Sequence, residues 1–332
     1  MILYRKIKAD ESLPILITAP HGGYAEFNNQ SIKFIEREGK NIVKDKDLFT
    51  LELSAEIDKY LRDRLNRKPH YVGALFHRKY IDANRTERQE EYAYMYNENN
   101  HAGKDIYQKY HTKIKDCIAN ILSINQNRLI DSKVLLLDIH GFNNKERPAR
   151  CIIIGTRNGT SCDANLMNEK WCGFCYIFRK IMRNRNLSID ILPIPGDLDD
   201  PSYSGAGTLE LHGKEKNPLV NAIQLEFSRE LRTDMQSRIQ LSECIGEAII
   251  NTLYPLRFFV EIVAKKNPRN NNDLELQKHW TKMVCDKINR IGINQPKYLV
   301  SGNINQMLYS NNELRFYEET LKIFLSTYNE NL

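Results

Sequence analysis

Two apolar runs in this chain close in the same way, on a histidine followed directly by glycine. They are Leu16-Ile17-Thr18-Ala19-Pro20-His21-Gly22-Gly23 and Val134-Leu135-Leu136-Leu137-Asp138-Ile139-His140-Gly141. A short apolar run bounded by a turn reads as a buried strand. A polar group at its end stands where α/β enzymes present ligands, at the carboxyl edge of a sheet. Imidazole is the commonest protein ligand for zinc. The pair therefore points to a sheet with buried central strands and to a metal site at its edge.

Strand candidates at 14–19 and 133–139 are joined by others at 70–76, 151–155, 188–192 and 219–226. Between them lie helical patterns. Asp47 to Arg67 repeats Leu53, Ile57, Leu61 and Leu65 every fourth residue, with charges on the other side. Asp105 to Leu122 carries Ile106, Tyr110, Ile114, Cys117, Ile118 and Ile121 on one stripe, and 164–184 and 229–253 also read as helices. Strands alternating with helices predict a three-layer α/β/α fold around a central mixed, largely parallel sheet. Loops near 143–148 and 195–207 carry turn residues and are candidate cleft rims. After Phe259 the texture changes: Lys265 to Asp273 is charged and Asn-rich, and 274–291 and 312–328 look helical. The expected division is a catalytic domain over 1–255 and a helical C-terminal extension over 256–332, whose role the sequence does not reveal.

A net charge of +6 on 332 residues suits an acidic substrate or simply a solvated surface. The absence of interleaved aromatic and basic residues argues against nucleic acid as the partner. No run approaches the roughly 18 apolar residues of a membrane span, and Met1 to Ser12 is too polar for a signal core. The expectation is a cytoplasmic protein that does not enter the membrane. Oligomeric state is not legible. Seven cysteines at irregular spacing fit a reducing compartment. Cys172 and Cys175 have the spacing of a redox pair, but the polar Asn165 to Lys170 before them is no buried strand.

A catalytic zinc site has three protein ligands and an open position. His21 and His140 supply two. For the third, Asp47 in Asp47-Leu48-Phe49-Thr50 competes with Glu26, and Asp47 read by itself is also a good helix N-cap. Arg78 and the run Asp82-Ala83-Asn84-Arg85 follow a strand, and arginine matches carboxylates in bidentate fashion. Glu226, in Gln224-Leu225-Glu226, ends another strand. It is placed either to act as a general base or to pair with Arg229.

Together these segments resemble the N-formylglutamate amidohydrolase family, within the zinc-carboxypeptidase-like group that includes the aspartoacylases. In family order they are Pro20-His21-Gly22-Gly23, Asp47-Leu48-Phe49-Thr50, Arg78 through Asn84-Arg85, Asp138-Ile139-His140-Gly141, Ser204-Gly205-Ala206-Gly207 and Gln224-Leu225-Glu226. The resemblance spans about 14–254. It implies a zinc-carboxypeptidase-like fold and Zn2+ held by His21, Asp47 and His140, with Glu226 as general base. It implies further that Arg78 faces the oxyanion, that Asn84 and Arg85 grip a substrate carboxylate, and that the loop with Gly205 and Gly207 lines the substrate pocket. Two departures stand out: Tyr24 replaces the glutamate three residues after the first histidine, which favours Asp47 as ligand, and Ala206 replaces a family glycine. His111 resembles a further family position near the site, and His212 follows the glycine loop.

The expected reaction is hydrolysis of an amide in a carboxylate-bearing N-acyl amino acid, such as formylglutamate, by zinc-activated water. A carboxypeptidase-like hydrolase of peptide or γ-glutamyl substrates is the alternative within the same chemistry. Outside it stand a non-catalytic binding protein on the same fold and a thiol oxidoreductase using Cys172 and Cys175.

Overall fold

The computed structural model describes residues 1–5, 7–8, 11–25, 35–39, 42–87, 93–94, 101–125, 133–143, 145–164, 173–194 and 197–253. The expected extension over 256–332, Glu26 and Cys172 lie outside them. The chain divides into two units, Met1–Ala164 with Met182–Gly246, and Asn165–Ile181 with Glu247–Leu332. The sheet and the site described below belong to the first; of the second, the described residues 174–181 and 247–253 are helical.

The described strands are β1 (Ile2–Arg5), β2 (Ser12–Ala19), β3 (Lys68–Ala74), β4 (Val134–Phe142), β5 (Cys151–Gly155), β6 (Asp190–Leu192) and β7 (Val220–Ser228). They form one sheet in the order β1-β3-β2-β4-β7-β5-β6. The central strands β3, β2, β4 and β7 run parallel, while β1 pairs antiparallel with β3 and β5 antiparallel with β7. Every residue of β2 and β7 is buried, because a parallel sheet is covered on both faces. That is why these strands read as unbroken apolar runs.

Helices cover the two faces. Helix α1 (Thr50–Leu65) buries Leu53, Ile57 and Leu61, and its neighbour Leu51 fills the space left by Gly73 of β3. Helix α2 (His101–Asn125) sets Ile106, Tyr110, Ile114 and Ile121 in one apolar cluster with Leu16, Val72, Leu136 and Ala222. Side chains two apart on a strand share a face. Leu16, Leu136 and Ala222 are consecutive partners across β2, β4 and β7, so α2 covers one face and α1 the other. This is the expected α/β/α layering with a mixed, largely parallel sheet.

Several elements differ from expectation. The edge strand β1 is missing from the sequence reading, because Ile-Leu-Tyr-Arg is too short and polar-flanked to stand out. Of the helix expected over 164–184, Ala164 and α3 (Phe174–Asn184) are helical, and 165–172 lie outside the described residues. The glycine loop continues into a short helix, α4 (Gly207–His212). The long helix expected over 229–253 is two, α5 (Arg229–Thr233) and α6 (Met235–Leu253), separated at Asp234 in extended conformation. The described cysteines 117, 151, 162, 175 and 244 are buried thiols. No helix among the described residues is long and apolar enough to cross a membrane.

Candidate metal centre

The site lies at the carboxyl edge of the central strands. β4 and β7 are in register there, so Asp138 stands beside Gln224 and His140 beside Glu226. These are two polar rungs on one face, closing a ladder whose lower rungs are apolar. His21 lies just past β2, and its carbonyl accepts the Asp47 N–H at 3.0 Å. That bond draws the segment before α1 over the strand ends. Helix α1 starts only at Thr50, with Phe49 as its cap and no side-chain capping bond. Asp47 therefore does not act as an N-cap; its side chain is buried and faces the histidines.

Asp47 Oδ2 lies 3.2 Å from His21 Nδ1 and 3.4 Å from His140 Nδ1, and Gly141 N–H donates to the same oxygen at 3.0 Å. Ligand bonds of ~2.0–2.1 Å in a tetrahedron put neighbouring donors about 3.3 Å apart. One donor atom from each of His21, Asp47 and His140 lies within 4.8 Å of the others. The outer nitrogens are backed by carboxylates: His21 Nε2 is 2.6 Å from Asp82 Oδ1, and His140 Nε2 is 2.8 Å from Asp138 Oδ2. An imidazole that donates through Nε2 keeps its Nδ1 lone pair for a metal, so such backing is the usual support of a metal-ligating histidine. Two imidazoles and a carboxylate form a donor set suited to zinc and its neighbours among the divalent ions. The residues fit a metal on both geometry and chemistry.

Electrostatics follow from burial and company. Burial by itself disfavours a charged imidazole at His140, but the charge and hydrogen bond of Asp138, with Asp47 behind them, hold its pKa up to about 10. A metal binding there must displace that proton. Burial works against ionised carboxylates at Asp47 and Asp82. The His21 and His140 contacts overcome it at Asp47, and Arg78 and His21 do so at Asp82, leaving both well below the usual carboxylate range. Glu226 goes the other way. Burial and the nearby Asp47 charge outweigh His140 and Arg78 and push it up to about 7. Its Oε1 accepts from Gln224 Nε2 at 3.0 Å and lies 4.0 Å from His140 Nδ1. Arg229, the partner considered for it, is exposed, so Glu226 is turned into the site.

Arg78 is buried, with Nε donating to Asp82 Oδ2 at 2.9 Å and Nη1 3.7 Å from Asp47 Oδ1. Asn84 is buried with its amide engaged: Oδ1 accepts the Thr208 N–H at 2.9 Å, and Nδ2 faces Gln224 Oε1 at 3.3 Å. Arg85 is half-buried on the cleft wall. Gly205 has φ +110°, which favours glycine, and Gly207 packs so closely on the Asn84–Arg85 backbone that a Cβ would lie 2.7 Å from it. The glycine loop and the Asn84–Arg85 turn are therefore one wall of a cleft of about 760 Å³, lined also by His21, Asp47, His140 and Glu226.

Two arginines that sequence reasoning passed over hold this site together. Arg37 is fully buried; its Nε donates to the Arg78 carbonyl at 3.2 Å and its Nη2 to the Val43 carbonyl at 2.6 Å. Arg232 donates to the carbonyls of Phe227 (2.9 Å), Phe142 (3.1 Å) and Leu48. Those carbonyls belong to the segments carrying Glu226, His140 and Asp47, so one guanidinium pins all three. Nothing in a single sequence marks Arg232, whose partners are main-chain carbonyls; Arg37 also faces Asp82 Oδ2 at 3.5 Å. Asp82 and Asp138 left more trace, since Asp138 stands two residues before His140 and must share its face. His111 and His212 are brought together, with His111 Nδ1 2.8 Å from His212 Nε2, and neither is among the residues lining the cleft.

The profile of the N-formylglutamate amidohydrolase family matches residues 13–232. Among solved structures, an N-formylglutamate amidohydrolase from Ralstonia eutropha JMP134 is similar with a TM-score of 0.51 at 15% identity, covering 75% of this chain and 95% of that one. A gene product of Agrobacterium tumefaciens gives 0.50 at 15% identity, covering 75% and 94%. At such identities the likeness shows the fold. No curated protein matches the sequence.

Proposed function

The chain belongs to the N-formylglutamate amidohydrolase family, and from that premise we propose that it hydrolyses the amide bond of a carboxylate-bearing N-acyl amino acid with zinc held by His21, Asp47 and His140. Membership of an amidohydrolase family supports amide hydrolysis. The observation that carries the finer reading is the shared Asp47 oxygen, 3.2 and 3.4 Å from the two Nδ1 atoms, with Glu226 alongside.

Zinc bound there supplies Lewis acidity, lowering the pKa of a water to about 7 in favourable sites. Glu226, held near neutrality, accepts a proton from the attacking water and returns it to the departing nitrogen. Arg78, oriented by Asp82, donates to the amide oxygen as negative charge grows on it. Arg85 takes the substrate carboxylate. Asn84, with its amide committed to Thr208 and Gln224, shapes that seat and fixes the glycine loop against it. Burial of the His21, Asp47, His140 and Glu226 side chains strengthens each of these charge interactions.

Glu226→Gln tests the assignment. The variant is expected to bind its full equivalent of metal by elemental analysis while kcat falls by about 10²–10⁴. Undiminished turnover of N-formyl amino acids by Glu226→Gln excludes the role. Turnover by the wild-type protein that is indifferent to a chelator removes the metal from the reading.

A further inference from the structure

The cleft is larger and more cationic than a formyl amino acid requires. At about 760 Å³ it falls in the size range of pockets that enclose drug-sized ligands. It also continues. A second hollow of about 350 Å³ shares Asp45, Lys46, Asn143 and Arg232 with the cleft, and adds Leu48, His77 and Arg229. A third, of about 530 Å³, shares Asn143 and Arg229 with the second and adds Lys145 and Arg147. Neither of these is lined by Asn84, Arg85 or Gly205, so the path leaves the cleft away from the seat given to the substrate carboxylate.

Charge along the path is one-sided. Lys46, Arg232, Arg229 and Lys145 line the two outer hollows, against Asp45 and Glu230. Arg147 is neutralised by Asp200. Arg232 directs its donors to carbonyls rather than to a carboxylate, so its charge is not cancelled by an ion pair among the described residues. Lys46 lies 3.8 Å over the Tyr24 ring, a contact that leaves its charge intact. Arg229 and Lys145 are exposed.

We propose that this path is a second, cationic subsite for the acyl side of the substrate, seating an acyl chain that carries its own carboxylates. The class is a short acidic oligomer, α- or γ-linked, rather than a formyl group. This rests on the amide-hydrolase reading above, with the leaving amino acid's carboxylate at Arg85 and the acyl chain running past the metal ligands toward Lys46, Arg229 and Lys145. The bond broken is still the amide: the hydroxyl of water goes to the acyl carbon and its proton to the leaving nitrogen. Spaced cations along a groove give affinity and on-rate for a spaced polyanion.

The test uses the full-length, metal-loaded protein and measures binding separately from turnover. Tri-γ-glutamate, tri-α-glutamate, N-formylglutamate and a short single-stranded oligonucleotide are titrated by calorimetry against wild type, the double variant Arg229→Glu with Lys145→Glu, and the distal control Lys113→Glu. One of the triglutamates is expected to bind wild type at least about tenfold more tightly than N-formylglutamate. The double variant is expected to lose about tenfold or more of that advantage and the control none. The linkage preferred distinguishes the two sources of carboxylate. Both exchanged residues are exposed, and circular dichroism checks folding. Equal binding of triglutamate by wild type and double variant overturns the subsite, as does tighter binding of the oligonucleotide. Tight, charge-sensitive binding of triglutamate with no cleavage of any probe upholds the subsite and overturns the hydrolase reading instead.

Discussion

His21 and His140 meet edge to face with ring centroids 4.8 Å apart; His111 and His212 stack at 5.1 Å. Both pairs are buried, and both lie beside the same sheet. What separates them is carboxylates. In the first pair each Nε2 has an aspartate behind it and both Nδ1 atoms face Asp47. In the second the two rings bond directly to each other. Burial, with Lys115 nearby, pushes His111 down to about 3, and burial with His111 beside it holds His212 well below the usual imidazole range. The contrast shows that burial alone makes an imidazole neutral and inert. Asp138 behind His140 makes that ring a stronger base, and a carboxylate in front of both rings completes a donor set that could hold a metal.

The contrast can be broken most forcefully at His140. His140→Ala is expected to empty the centre of metal by elemental analysis and to lower turnover by at least about a thousandfold, the several kcal/mol that a catalytic metal contributes. A His140→Ala protein that keeps both its metal and its activity would end the comparison. Next in size is Arg232→Met, which leaves three carbonyls beside the centre without their donor. A urea titration is expected to show about 3 kcal/mol less stability, with weaker metal binding alongside. Normal metal affinity in a destabilised variant would show that the clamp serves the fold only.

Asp138→Asn sharpens the contrast by making His140 more like His111. Metal affinity, measured by competition with a chelator, is expected to fall by about 10–100-fold. The smallest effect belongs to His111→Phe. It leaves His212 Nε2 unpaired and is expected to cost about 1–2 kcal/mol at neutral pH with the metal content unchanged. Its pH dependence has a definite sign. Below the ordinary imidazole pKa of about 6.5 the unfolded chain takes up a proton that folded His111 refuses until about 3. Wild type therefore loses stability as pH falls through that window. Removing His111 removes part of the loss, so the gap between variant and wild type should narrow from pH 7 to pH 5 in urea midpoints. A widening gap contradicts a neutral, buried His111.

Much of the fold was legible because a parallel sheet buried on both sides leaves unbroken apolar runs, such as Leu135-Leu136-Leu137 and Ile152-Ile153-Ile154. The strand-end residues His21, His140 and Glu226 showed as polar interruptions at the close of such runs. Asp47 was harder to read, since aspartate before a helix has an ordinary capping role; the bonds from its N–H to the His21 carbonyl and from Gly141 N–H to its Oδ2 hold it inward. Asn84 was readable as a site residue, but not its commitment to Thr208 and Gln224, which are far off in the chain. Arg232 left no signal, because a guanidinium that binds main-chain carbonyls has partners without side-chain identity; Arg37 left none because its carboxylate partner, Asp82, is 45 positions away. Strand β1 escaped because the edge of a sheet demands neither length nor apolarity.

The anchoring of Leu48 by Arg232 also bears on how the protein comes into being. The two residues are 184 positions apart, so the segment bearing Asp47, already bonded to His21, gains this further anchor only after the chain has extended through α5 and that helix has docked on β4 and β7. Contacts of such long sequence separation form slowly. Partly synthesised or partly refolded chains should thus acquire a sheet before they acquire the capacity to hold an ion, and competence should ripen last.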